Sequence, residues 1–211
     1  MAQTNKYPSK ILEEAVEAIS SLPGVGSRSA LRLALHLVGQ PAENIHRFAA
    51  AVDRLAEEVR YCDTCRMICD SSECPICADR TRDHSTICVV ASVRDVMSIE
   101  ATGQYRGVYH VLGGIISPIN GVGPSDVTIN ELTARVNALA ANGAAPEVIL
   151  ALSGDVEGET TAFYIYRRIA GSGCRVSTLA RGLGFGDDLE YADAVTLGRS
   201  IASRQPFAPQ T

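Results

Sequence analysis

The sequence predicts an α/β fold built from several modules, and three patterns point to it. Apolar residues recur at helical spacing over the first sixty positions, two Cys-x-x-Cys pairs follow, and beyond residue 85 short apolar strands alternate with helical stretches. That alternation is the signature of a mostly parallel sheet with helices on its faces. The first helix carries Ile11, Leu12, Ala15, Val16 and Ile19 after the capping residue Ser9, and ends near Leu22, Pro23 and Gly24. A second begins at Ser27 or Ser29, places Ala30, Leu33, Ala34 and Leu37 on one face, and stops at Gly39 to Pro41. A third runs from about Glu43 to Tyr61 with Ile45, Phe48, Val52, Leu55 and Val59 in register, delivering the chain to the first cysteine. The α/β region then reads Ile87 to Val90, Arg94 to Thr102, Val108 to Leu112, Ile129 to Ala141, Val148 to Leu152 and Thr160 to Ala170.

Cys62, Cys65, Cys74 and Cys77 carry the strongest chemical signal. Two Cys-x-x-Cys turns each offer a pair of thiolates to one face, and a tetrahedral Zn²⁺ closes a loop too small to hold a hydrophobic core. Four sulfur ligands leave no position for substrate, so the expected zinc is structural. A disulfide cluster is the alternative, but no apolar leader precedes Lys6 and Lys10, and an oxidising compartment has no support. Cys69 is less regularly spaced and reads as a spare thiol, while Cys88 and Cys174 read as small buried apolar residues.

Composition narrows the function. The 211 residues are 46% hydrophobic and 20% charged, ordinary for a globular chain. The longest apolar stretches, such as Val148 to Leu152, have strand length, so a soluble cytoplasmic protein with no membrane span is expected. A net charge of −5 argues against a surface coated for tight nucleic-acid binding. Residues 1–82 hold ten basic and eleven acidic side chains, so few phosphates can be neutralised per chain and binding should be weak, salt-sensitive and strengthened by several copies.

The first inter-helix junction offers a place for such a contact. Gly24, Val25 and Gly26 form a glycine–apolar–glycine turn between two helices, with the small Ala30 four residues on, an arrangement that resembles the helix-hairpin-helix motif of DNA repair proteins. The glycines permit a tight turn, and the amides opening the second helix can hold a phosphate without reading sequence. Arg28 and Arg32 share a face one turn apart and add two cations beside that turn. A plain helical hairpin is the competing explanation.

In order along the chain, the hairpin Leu22 to Gly26, the four-cysteine module, Tyr109 to Pro118, Gly121 to Pro124, Glu157 to Ile165, Ala180 to Gly182 and Leu189 to Asp193 resemble the RecR family of bacterial recombination mediators. The resemblance covers nearly the whole chain. It implies a helix-hairpin-helix domain at 1–61, a four-cysteine zinc finger at 62–77, a Toprim domain at 85–181 and a C-terminal segment at 182–211 for packing and oligomerisation. It further implies a ring-like homotetramer acting on gapped DNA at single-/double-strand junctions. Its implied partners are RecO and RecF, with RecA loaded in place of single-strand-binding protein and no catalysis.

Two departures bear on catalysis. Toprim enzymes hold Mg²⁺ with a glutamate after the first strand and an Asp-x-Asp pair after a later one, whereas here Ala91 and Ser153 stand at two of those positions and only Asp155 is kept. Asp155, Glu157 and Glu159 remain as a weak cation or partner site, or as a solvated acidic loop. Near the C terminus the chain reads Ala192, Asp193, Ala194 where relatives carry Ala-Asp-Glu, and no Walker A pattern exists, so ATP hydrolysis has no support. Arg181 to Gly186 reads as a structural turn. His84 and His110 read as packing or hydrogen-bonding residues. Residues 113–124 are expected to form an ordered surface loop, with Ile116 facing a subunit or partner. A Mg²⁺-dependent nuclease and a protein adaptor without DNA contact are the two other function classes.

Overall fold

The computed structural model describes residues 7–180, 182–183 and 188–204, and the chain divides into two compact units, residues 1–59 and 60–211. The expected turn at Arg181 and Gly184 to Gly186, like the end of the C-terminal segment from residue 205, lies outside the described residues.

In the first unit, the Ser9 hydroxyl accepts from the Leu12 amide at 3.4 Å and opens α1 (Lys10–Ser20). Gly24, at φ +79°, turns the chain into α2 (Ser27–Val38). The two helices meet over Val16, Ala30 and Ala34, with Leu12, Ile19 and Val25 packed around them, so the small residue after the turn is there because the helices touch. Next comes α3 (Ala42–Glu57), which buries none of its residues; Phe48, Val52 and Leu55 on its apolar stripe are all more than half exposed. It stops short of the expected Tyr61. Arg60–Tyr61 instead forms strand β1, paired antiparallel with β2 (Ile68–Cys69).

The second unit joins this cysteine-bearing ribbon and the short helix α4 (Pro75–Ala78) to an α/β sheet. The sheet elements follow as β3 (Asp83–Val90), α5 (Val93–Ala101), β4 (Gly107–Val111), α6 (Ile129–Ala141), β5 (Glu147–Ala151), α7 (Val156–Ile169) and β6 (Arg175–Thr178), with α8 (Ala194–Ala202) after them. The four strands run in the order β4-β3-β5-β6 and all pair parallel, with Ile87 flanked by Val108 and Val148. The predicted α/β fold is therefore present. Strand alternation sorts the core into two layers. Ile87, Val89, Val148 and Leu150 meet Leu132 and Val136 of α6 and Ile165 and Ile169 of α7, whereas Cys88, Val90, Tyr109 and Val111 meet Val96 of α5.

Both outer strands are short, and the β4 edge is closed by side chains and the cysteine ribbon. The outward groups of β4 are taken in turn: Arg82 donates to the Gly107 carbonyl at 3.0 Å, Arg135 to the Tyr109 carbonyl at 2.7 Å, and the Val111 amide donates to the Cys65 carbonyl at 2.8 Å. Arg82 also donates to the Glu100 carboxylate at 2.9 Å, and Tyr109 donates to the same carboxylate at 2.7 Å. Among the described residues no strand lies beyond β6.

The loop over 113–124 is ordered, but Ile116 does not face outward. It is 6% exposed in the main core, and its amide donates to Thr161 Oγ1 at 2.9 Å, so the expected subunit contact is corrected to a core contact. The exposed apolar residue of this loop is Ile119, at 93%. His110 is fully buried, with Nε2 at 2.9 Å from the Thr128 carbonyl and Nδ1 without a partner. His84 Nε2 lies 3.0 Å from the Asp79 carbonyl. Both histidines are hydrogen-bonding residues, as expected.

Burial pushes the His110 pKa down from 6.5 to about 4, against the opposing hydrogen bond to Thr128 and with Arg135, Glu131 and Arg66 as the charged neighbours. Because the folded value lies below the unfolded one, the unfolded chain binds the extra proton between pH 6.5 and 4. Stability from this residue is whole above pH 6.5 and falls by about 3 kcal/mol as pH drops to 4. Urea unfolding of the native chain and of His110→Gln, which shares every other titrating group, should show that extra acid loss only in the native chain. Equal losses would remove His110 as its source.

Candidate metal centre and nucleic-acid interface

The four cysteines converge. Cys62 and Cys65 lie on the turn between β1 and β2, and Cys74 and Cys77 lie at the start of and within α4; all four are at most 5% exposed, and their sulfurs lie within 4.8 Å of one another. Backbone geometry builds the cluster. The Met67 carbonyl accepts from the Cys62 amide at 2.8 Å, and Arg66 closes the first turn in a left-handed conformation at φ +63°. In the second turn the Cys77 amide points at Cys74 Sγ at 3.4 Å, and the Cys74 amide points at Cys62 Sγ at 3.4 Å.

Donor type and spacing fit a tetrahedral metal, since Zn–S bonds of about 2.3 Å place sulfurs roughly 3.8 Å apart. The Cys65 and Cys74 sulfurs stand 3.5 Å apart, too far for a disulfide bond, and all seven cysteines are free thiols. Hydrogen bonding from Cys65 holds the Cys74 thiol well below the ordinary range, while the bond to Cys74 pushes Cys65 up and the bond to Cys65 pushes Cys77 up. Cys69 stays outside the cluster, its thiol donating to the Ser71 carbonyl at 2.9 Å. Cys88 is 2% exposed, and burial raises its thiol to about 12.

At the hairpin, Val25 packs against the helical core while Gly24, Gly26, Arg28 and Arg32 are exposed. Gly26 is the N-cap of α2 and offers no side-chain acceptor, so no side chain caps the first-turn amides, and Arg28 and Arg32 follow on the same helix one turn apart.

The acidic residues around Asp155 are drawn in different directions. The Asp155 carboxylate caps α7, accepting from the Gly158 amide at 2.7 Å and from Ser153 Oγ at 3.0 Å, and the Gly158 amide holds it below the usual carboxylate range. Glu157 accepts a short hydrogen bond from Ser117 in the neighbouring loop. Glu159 lies exposed in the first turn of α7. Among the described residues, the four cysteines are the one group that brings three or more metal-ligating atoms together. Gly158 itself is required, since a Cβ there would collide with the Ser153 carbonyl. Asp193 likewise serves as a cap, accepting from the Val195 and Thr196 amides at the start of α8 at 3.0 and 2.9 Å.

Sequence reasoning missed one feature. A cavity of about 540 Å³ lies between the cysteine ribbon and the C-terminal ends of β3 and β4, lined by Tyr61, Arg66, Ala91, Asp126 and Glu131 among others. Its residues are scattered over some seventy positions, and no local pattern joins them.

A helical hairpin, a four-cysteine ribbon and a parallel Toprim sheet without a full carboxylate set define a class of modular nucleic-acid-processing protein. Family models match in the same order: RecR helix-hairpin-helix over residues 12–56, Toprim domain over 85–180, and RecR C-terminal over 182–205. The Recombination protein RecR of Porphyromonas gingivalis is 55% identical over 203 residues, covering 96% of both chains. Those of Parabacteroides distasonis and Flavobacterium johnsoniae are each 52% identical over 202 residues, covering 96% of this chain and 95% and 96% of theirs. The chain belongs to the RecR family of recombination proteins.

Cys65→Ser removes one sulfur from the set and leaves the rest of the ribbon intact. Bound zinc, read by a chromophoric chelator after unfolding, should fall from one per chain towards zero, with a marked fall in Tm. Full zinc content in the variant would show that Cys65 is not a ligand.

Proposed function

We propose that this protein is a non-catalytic mediator of recombinational DNA repair that touches DNA through its helical hairpin. The exposed pair Arg28 and Arg32, beside the uncapped start of α2, carries the reading. Anchored amides and two guanidinium groups suit backbone phosphate of any sequence. Cys62, Cys65, Cys74 and Cys77 hold a structural Zn²⁺ that fixes the ribbon. The α/β domain supplies surfaces for assembly and partners, with Asp155, Glu157 and Glu159 at its partner face. The domain divisions at 61, 77, 85 and 181, a homotetrameric ring, partnership with RecO and RecF at gapped DNA, RecA loading and a cytoplasmic location belong to the same reading. Non-catalytic action is supported by Ala91 and Ser153 at two of the three Toprim carboxylate positions and by the capping role of the third, Asp155. No helix among the described residues is long and apolar enough to cross a membrane.

Binding to a labelled gapped duplex, titrated over a salt series with Mg²⁺ present, tests the proposal. The native chain should bind in a salt-sensitive manner and leave the DNA intact on a denaturing gel. Arg28→Ala with Arg32→Ala should weaken binding at least about tenfold and lower the salt slope by about two. Nicked DNA lost in Asp155→Asn would replace this reading with a nuclease. Binding seen only after addition of RecO would replace it with an adaptor.

A further inference from the structure

The 540 Å³ cavity between ribbon and sheet falls within the roughly 300–1,000 Å³ typical of small-ligand sites, and it lies at the C-terminal ends of parallel strands, where such folds bind their ligands. Its walls mix three kinds of surface. Ile68, 44% exposed, supplies apolar surface, with the buried Val111 and Leu112 behind it, and Tyr61, 63% exposed, offers an aromatic ring at the rim. Arg66 and Glu131 face each other at 3.2 Å, yet Arg66 Nε is buried with no hydrogen-bond partner. Asp126 spends one carboxylate oxygen on the Gly123 amide at 2.8 Å. Ala91 leaves room where a Toprim enzyme would project a carboxylate.

Charge selects among ligands. An anion would meet Asp126 and Glu131, whereas a cation would meet the Arg66 guanidinium. A neutral planar heterocycle with donors and acceptors on one edge uses both kinds of polar group and lays its face on the apolar wall and the Tyr61 ring. We propose that this cavity is a nucleobase-binding site, taking either an unstacked base of a single strand or the base of a free nucleotide. The proposal rests on the DNA-mediator reading only for the first of these sources.

The test uses zinc-loaded full-length protein and two probes: 2-aminopurine deoxyribonucleoside monophosphate, and a single-stranded oligonucleotide carrying one 2-aminopurine. Saturable anisotropy of the mononucleotide, or protection of the oligonucleotide's fluorophore from acrylamide quenching, supports the site; protection marks a strand-borne base, and mononucleotide binding without protection marks a free nucleotide. Tyr61→Ser should weaken the signal about fivefold or more, and Ala91→Phe, which fills the cavity, should abolish it, with zinc content and Tm unchanged. Arg28→Ala with Arg32→Ala should leave mononucleotide binding intact, so failure of the hairpin reading is separable. Absence of both signals, equal binding by both variants, or displacement of the base by N-acetyl-arginine amide, which would mark a cleft for a partner's side chain, overturns the proposal.

Discussion

Among the described residues, one backbone hydrogen bond, from the Val111 amide to the Cys65 carbonyl at 2.8 Å, ties the cysteine ribbon to the sheet, beside the packing of Met67 and Ile76 on the sheet core. Its acceptor is held by the turn between two cysteines, so what fixes the cluster also fixes the edge of β4. Arg66, one residue further, carries the connection to Glu131 on α6 at 3.2 Å. Ribbon, strand and helix thereby surround the cavity, and their mutual positions depend on a module with only four buried cysteines for a core. A metal contributes most where apolar surface is too scarce to organise a loop by itself.

The sheet retains a Toprim framework while its acidic side chains serve the fold. Asp155 stabilises the start of α7, where a negative charge complements the helix dipole. Glu157 ties that helix to the loop at Ser117. Such bonds fix the start of α7 and leave the carboxylates facing different neighbours. The close approach of Gly158 to Ser153 keeps the turn compact, and the residue identity there follows from space alone.

Local patterns made much of this legible. Helical spacing identified α1 and α2 because most of their apolar stripe is buried between them, although Ile11 and Leu33 stay exposed, and Cys-x-x-Cys spacing identified the cluster because each turn is formed within a few residues. Long-range effects were not legible. The third helix carries a strong apolar stripe, yet its end was set by β1 pairing with β2, and Ile116 was read as a surface contact because nothing nearby in sequence reveals Thr161 above it. The cavity was invisible for the same reason: Tyr61, Ala91 and Asp126 meet only through tertiary folding.

The two edges of the sheet differ in what they permit. With Arg82, Arg135 and Cys65 occupying its outward groups, β4 cannot recruit another strand. At the other side, β6 is only four residues long and carries Arg175, whose side chain is 75% exposed while paired to Glu147 at 2.8 Å. Shortness and charge are the usual protections of a strand edge against runaway strand addition. The two ends of the sheet are thus guarded by different means: β4 by groups that occupy its outward backbone, β6 by its brevity and its charge. Loss of the cysteine ribbon would free the Val111 amide and leave the C-terminal end of β4 the less guarded.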